Sequence, residues 1–332
     1  LTNLAEKEYG SGEFEVAAER GARALAALGA VGNATDLANA QLVQANGLVK
    51  MARYEEARPL FQAALSTGLR TGDPYLEGAA HNGLANVLSY LKGDVRRAEK
   101  HYRLSLEAHE RNGDLEGTSG ALTNMGACRF DLGDYSEAER LWAKAAAAAA
   151  EMGFREREAA LLNNLGALAE ARGDLETARA NYERSLTLRR ELGNRTGSAN
   201  VLFSMGRLAL RSGETVEARH LMQEAHDHYR WHGDLPGMTQ CHSYLTRILA
   251  ELERFDDAED HLARATELAL EMNSHVEMLG VLYSGALLLE ARGLHGPALR
   301  AAHAVAEGAK GSVETLRTQA RALAGRLAPE GR

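Results

Sequence analysis

The sequence predicts an all-α solenoid of about eight helical hairpins in tandem, followed by one further helix. Three observations carry that expectation. An anchor position recurs at residues 12, 52, 93, 133, 173, 213, 253 and 293, with 40 residues between neighbours except for one interval of 41. Five residues after each anchor stands an alanine: Ala17, Ala57, Ala98, Ala138, Ala178, Ala218, Ala258 and Ala298. Between these marks apolar residues return at three- and four-residue spacing, with no strand-like alternation.

Each repeat has the same internal logic. Most anchors are glycine, and a second glycine recurs at Gly32, Gly72, Gly113, Gly153, Gly193 and Gly233, usually followed by Asn or Asp. Glycine ends a helix in the left-handed conformation, and the next Asp or Asn caps the helix that follows. Two breakers therefore delimit two helices. In the most regular repeat, Leu161, Leu162, Leu165 and Leu168 line the first helix, while Ala178, Tyr182, Ser185 and Leu186 line the second. Seven residues before the anchor sits a small residue (Ala5, Gly126, Gly166, Gly206, Ala286) that lets the partner helix approach, with the repeating alanine expected opposite it. One hairpin alone would leave an apolar face bare, and stacking neighbours covers it.

Taken in order, the first repeat opens inside a helix at Leu1, which points to sequence upstream. Repeat two (about Asp36–Gly68) lacks the anchor glycine and places Gln44 where a leucine is expected. Repeat three holds the extra residue. The alanine run Ala145–Ala150 falls in the second helix of repeat four and suits it, alanine being the strongest helix former. Repeat seven has Thr246 at the small position, and repeat eight has Gly285 in place of a leucine. Residues 1–311 thus form eight repeats. Residues 312–332 form a cap helix and tail, with Leu316, Ala320, Leu323, Ala324 and Leu327 as its apolar stripe and Arg317, Arg321 and Arg326 beside it.

The run Asn164-Leu165-Gly166, then Gly173-Asp174, then Ala178, Tyr182 and Leu186, resembles the tetratricopeptide repeat. The residues beyond the usual repeat length fall in a longer second helix and in the loop Leu192–Ala199. That longer form resembles the repeats of GoLoco-binding polarity adaptors. It also resembles the C-terminal sensor arrays of bacterial signal-transduction NTPases, among them the actinomycete antibiotic regulatory proteins and the maltose regulator. The resemblance implies a right-handed solenoid whose first helices line a concave groove that receives a protein or peptide.

Carried onto this sequence, the groove positions are Asn3, Asn82, Asn86, Asn124, Asn163, Asn164, Phe203, Arg207, Tyr244, Arg247 and Tyr283. Asparagine both donates and accepts, so a ladder of amides can hold a peptide backbone whatever its side chains. The competing reading is that these amides bond neighbouring hairpins, as buried amides do. Arg207, Arg211 and Arg247 would suit an acidic stretch or a carboxylate, or else are simply solvated. No lysine occupies a groove position, so the two-lysine clamp of chaperone-binding relatives is not expected.

Bulk properties and motifs narrow the classes. A formal charge of −8 argues against a nucleic-acid surface, and no apolar run is long enough to span a membrane. Two cysteines cannot form a disulfide framework and fit a reducing cytoplasm, and an Arg-, Ala- and Gly-rich composition points to a GC-rich bacterial genome. No phosphate-binding loop, Gly-x-Ser-x-Gly elbow or His-Glu-x-x-His helix is present, so neither an enzyme nor a cofactor is expected. His228 and His232, four apart on one helix face, have a spacing that can chelate a metal, but no second ligand pair converges on them and packing is the better reading. The expectation is a protein- or peptide-binding arm of a larger bacterial signalling or transcriptional regulator, in contact with other domains of its own polypeptide. A free-standing adaptor and a small-molecule sensor are the alternatives.

Overall fold

The computed structural model describes residues 14–29, 32–51, 53–92, 95–309 and 313–328. Among them the regular structure is entirely helical: α1 (Phe14–Leu28), α2 (Ala34–Lys50), α3 (Tyr54–Thr71), α4 (Pro74–Lys92), α5 (Val95–Asn112), α6 (Leu115–Asp131), α7 (Tyr135–Glu151) and α8 (Arg155–Arg172). The series continues with α9 (Leu175–Glu191), α10 (Arg195–Arg211), α11 (Thr215–His232), α12 (Leu235–Glu251), α13 (Phe255–Glu271), α14 (His275–Ala291), α15 (His295–Gly308) and α16 (Glu314–Leu327). Helix α1 is the second helix of repeat one, and the pairs α2/α3 through α14/α15 are the next seven hairpins. The first helix of repeat one, with Asn3, Ala5 and the anchor Gly12, lies outside the described residues, as do the anchors at 52 and 93.

The breakers act as their chemistry requires. Gly173, between α8 and α9, has φ 84°, a left-handed value that lets the chain reverse into the second helix. Asp174 then accepts a hydrogen bond from the Thr177 amide at 3.0 Å. The same exchange follows Gly113, where Asp114 accepts from Gly117 N, and Gly233, where Asp234 accepts from Gly237 N, both at 2.9 Å. Glu253 and Asn273 also take positive φ, 56° and 48°, at breaker positions that have lost their glycine. Asparagine tolerates that conformation better than glutamate does.

The chain divides into two compact units at Leu161/Leu162, within α8. In the first, Ala38, Leu42, Phe61, Leu76 and Ala80 form a buried core between α2, α3 and α4. In the second, Tyr182, Leu202, Met222, Leu245 and Ile248 do so across α9 to α12. Within each unit the first helices of consecutive hairpins touch (α2 with α4, α10 with α12, α12 with α14), whereas consecutive second helices make no comparable contact. The first helices therefore crowd one side of each stack.

The close approach inside a hairpin is made by a different pair than expected. The repeating alanines from Ala57 to Ala298 are fully buried, but what fills the space over the small residue is the side chain one turn further on. A Cβ at Gly126 would lie 2.4 Å from Trp142, one at Gly166 2.6 Å from Tyr182, and one at Gly206 3.0 Å from Met222. An alanine is too short to span the gap between two helix axes, so a long side chain crosses it and the facing residue must shrink.

The irregular repeats have local remedies. The backbone of Gln44 packs on Gly21 of α1, whose added Cβ would meet it at 2.8 Å. Leu262 of α13 covers Gly285 at 3.4 Å, and buried Thr246 bonds its hydroxyl to the His242 carbonyl at 3.0 Å. On α16, Ala320 and Leu323 are fully buried, the latter packed with Ala286 and Ala302. No described helix is long and apolar enough to cross a membrane.

Candidate functional site

The expected site residues fall into two groups, one in each unit. In the first unit the asparagines have partners of their own. Asn124 of α6 donates its amide to the Asn82 carbonyl oxygen of α4 at 2.9 Å. Asn86 accepts from the Tyr102 hydroxyl at 2.5 Å. The ladder exists here, but its rungs close on one another and on the hairpin's own tyrosine.

The second unit is built differently, and its packing reaches directly into its polar face. Gly166 leaves room for Tyr182, which is fully buried. The Tyr182 hydroxyl emerges at the first-helix face and donates to Glu170 Oε2 at 3.1 Å. Burial raises the Tyr182 pKa, with the Glu170 charge adding to the effect, so it remains a donor. Glu170 is only 5% exposed and would be a costly buried charge were it alone. It is not alone: Arg207 Nη2 meets Oε2 at 2.9 Å and Arg211 Nη1 meets Oε1 at 3.0 Å, both from α10. Burial alone would lower the Arg207 pKa, but the Glu170 carboxylate together with Tyr244 and Tyr182 raises it on balance. Two of the three arginines expected to await an acidic partner therefore already hold an internal one.

Around this network the other expected residues take distinct places. Phe203 and Tyr244 meet edge to face, ring centroids 5.2 Å apart, on α10 and α12. The Arg247 guanidinium lies over the Tyr244 ring at 4.8 Å. It is also close enough to Tyr283 of α14 to oppose the rise that burial imposes on that phenol. Among the described residues Arg247 makes no ion pair, and its Nε is buried without a hydrogen-bond partner. Asn163 of α8 likewise has a buried, unbonded Oδ1, with half-buried Asn164 beside it.

Sequence reasoning missed Glu170. The signal was partly available: the residue three before the anchor is Phe130, Leu210 or Ala250 in three other repeats, although it is Glu290 in the last, so a glutamate there departs from a mostly apolar position. It also missed the glycines early in the first helices. Gly117 admits the His109 ring and Gly237 the Tyr229 ring, where added Cβ atoms would lie at 2.1 and 2.5 Å.

His226, His242 and His261 are packed into hairpins. His226 is buried and meets His242 edge to face, centroids 4.7 Å apart, and His242 Nδ1 lies 2.7 Å from His261 Nδ1. His232 is exposed and contacts the Thr196 hydroxyl at 2.7 Å. His228 and His232 gather no further ligand, and among the described residues no group of three or more His, Cys, Asp or Glu is placed to hold a metal ion. Cys128 and Cys241 are both buried and unpaired.

Fold and site together define a helical-hairpin repeat scaffold with a polar and aromatic face on its first helices. The tetratricopeptide repeat family model matches residues 76–151, 117–191 and 157–230, and over that stretch the chain is a tetratricopeptide-repeat array. Several solved structures share the fold. A Rap protein complexed with competence and sporulation factor is 16% identical with a TM-score of 0.63, over 96% of this chain and 97% of that one. The Rap conjugation gene regulator of a plasmid, in complex with the Phr* peptide, is 14% identical with a TM-score of 0.58, over 90% and 95%. A signal transduction ATPase with numerous domains and a tetratricopeptide repeat sensor, from Pyrococcus horikoshii, is 14% identical with a TM-score of 0.63; 88% of this chain covers 42% of that one. No curated protein matches in sequence. At such identities the likeness establishes the fold.

Proposed function

We propose that this chain is a peptide- or protein-binding scaffold, the partner-sensing arm of a larger cytoplasmic regulator, and that it binds through the first-helix face of its second unit. The observation that carries the reading is the contrast in hydrogen-bond satisfaction. The buried Asn163 Oδ1 and Arg247 Nε have no internal partner, whereas the amides of Asn82, Asn86 and Asn124 do. A buried polar atom left unbonded costs about 1–3 kcal/mol, which a ligand donating or accepting there would recover. Phe203, Tyr244 and Tyr283 supply apolar area beside those atoms, the mixture that anchors peptides in helical grooves. Structures of similar fold were solved with peptide or factor bound, and another belongs to a sensor array of a multidomain ATPase. Those likenesses support the reading without identifying the ligand.

Selection of binders from a displayed random-peptide library tests it. Affinities of the selected peptides, measured by calorimetry, should fall at least about tenfold in an Asn163→Ala/Asn164→Ala variant, the loss of about one well-made hydrogen bond. They should be unchanged in an Asn82→Ala/Asn124→Ala variant. Equal affinity in all three proteins would remove the site from this face.

A further inference from the structure

Resting on that reading, we infer that Arg247, Tyr244 and Tyr283 form a subsite for a single carboxylate carried by the bound peptide. The charges on this face lead to it. Arg207 and Arg211 converge on one carboxylate, Glu170, and are held there by bonds of 2.9 and 3.0 Å. Arg247, one repeat further on, stands at the position equivalent to Arg207 but has no acidic residue in reach of an ion pair. Where the preceding helix offers Arg207 the buried Glu170, it offers Arg247 the apolar Leu210. Glu251 follows one turn later on α12 and feels the Arg247 charge, yet burial raises its pKa on balance, and the two make no bond.

The Arg247 guanidinium carbon lies 4.8 Å from the Tyr244 ring centroid. A guanidinium holds its N–H donors in one plane, in the fork that matches a carboxylate. Tyr283 stands near enough to interact with the Arg247 charge, and burial keeps its phenol protonated and able to donate a hydrogen bond. Arg247 and Tyr283 bring donors together here; of the nearby carboxylates, Glu251 makes no bond to Arg247 and Glu290 is paired with Arg326 at 3.2 Å. A cationic side chain would be repelled, and a neutral amide would lack the charge that makes an arginine bond strong. Among the described residues of this face one guanidinium, that of Arg247, lacks a carboxylate, which suits a monoanion better than a phosphate dianion.

The test uses fluorescence anisotropy with the full chain and three mixed-sequence peptide pools, each acetylated and amidated at its ends. One pool carries Asp and Glu, one carries Asn and Gln at the same positions, and one carries Lys. The acidic pool should bind at least about tenfold more tightly than the amide pool, and the lysine pool more weakly than either. Arg247→Gln should abolish the acidic preference, so that the acidic and amide pools bind the variant equally. Inorganic phosphate at equal concentration should compete less well than acetate. Equal binding of acidic and amide pools, or a preference that survives Arg247→Gln, would overturn the carboxylate subsite and leave the peptide-binding reading standing. Stronger competition by phosphate than by acetate would overturn the choice of anion. If no pool binds at all, the peptide-binding reading falls and this inference falls with it.

Discussion

The two units use one repeat pattern and spend their polar residues in opposite ways. In the first unit, Asn82 bonds Asn124 and Asn86 bonds Tyr102, so side chains on the first-helix face satisfy each other. In the second, the tyrosine behind the face bonds a buried glutamate, the glutamate takes two arginines, and a third arginine is left over. The lesson is that a repeat's core positions fix where the face is, while a few departures from the pattern determine which of its polar groups find partners within the chain. Where the units are alike they should fail alike; where they differ, mutation should separate them.

The largest common effect should come from acid. Each unit holds a histidine pair at equivalent repeat positions: His81 with His101, Nδ1 atoms 3.0 Å apart, and His242 with His261 at 2.7 Å. At those distances one ring donates N–H to the other, and protonating both would set two N–H groups face to face. Burial, reinforced by the partner ring, lowers His81 to about 4 from the ordinary 6.5. His242 is lowered to about 4 by burial, His226 and His261. His101 and His261 are lowered as well, chiefly by burial, with Asp257 and Asp260 partly opposing this at His261 and Glu77 doing so at His81. The unfolded chain therefore binds more protons than the folded one between pH 6.5 and about 4, and stability should fall as pH drops through that window in both units. Hydrogen exchange at pH 7 and pH 5 reads each unit separately, and a His101→Phe/His261→Phe variant should blunt the loss. An equal loss in that variant would remove the pairs as its cause.

Glu170→Gln should come next and should strike one unit. It leaves Arg207 and Arg211 facing a neutral amide, at a cost of about 2–3 kcal/mol, below the range for a fully buried pair because both arginines reach solvent. Exchange should speed up in α8 to α11 and stay unchanged in α2 to α5. Asn124→Ala, the matching change in the first unit, should cost about 1 kcal/mol there. If the two variants lose the same stability, the contrast between the two faces is not energetic.

Gly166→Leu should cost about 1–3 kcal/mol by overpacking against Tyr182, and should also disturb Glu170, since Tyr182 holds it. Peptide affinity lost beyond the loss of fold, measured at a temperature where the variant is fully helical, would show the core and the face to be coupled. Unchanged affinity would separate them. The smallest effect is a gain: Glu253 sits at φ 56°, so Glu253→Gly should raise stability by up to about 1 kcal/mol. A drop in melting temperature would mean that the glutamate side chain contributes more than its backbone strain costs.

Much of this was legible in the sequence, and for local reasons. The period, the paired breakers, the aspartate caps and the small residues are one-dimensional signals, because helix ends and helix faces are set by residues a few positions apart. The site was legible only as a list. Asn82 and Asn124 are 42 residues apart, and nothing local says whether their amides meet each other or a ligand. Likewise Arg207 and Arg211 read as free cations until Glu170, 37 and 41 residues away in sequence, is brought beneath them.

The sequence by itself determined the architecture: an all-α array of paired helices whose register follows from glycine, aspartate and alanine recurring at a fixed interval. Only the tertiary structure decided which polar groups are spent. Hydrogen bonds and ion pairs reach about 3 Å, a distance set by how adjacent hairpins stack, and a shift of a single turn would change every partner on the face. That is why the glycine at 166 could be read as a packing residue from the sequence, while the unmatched charge of Arg247 could not.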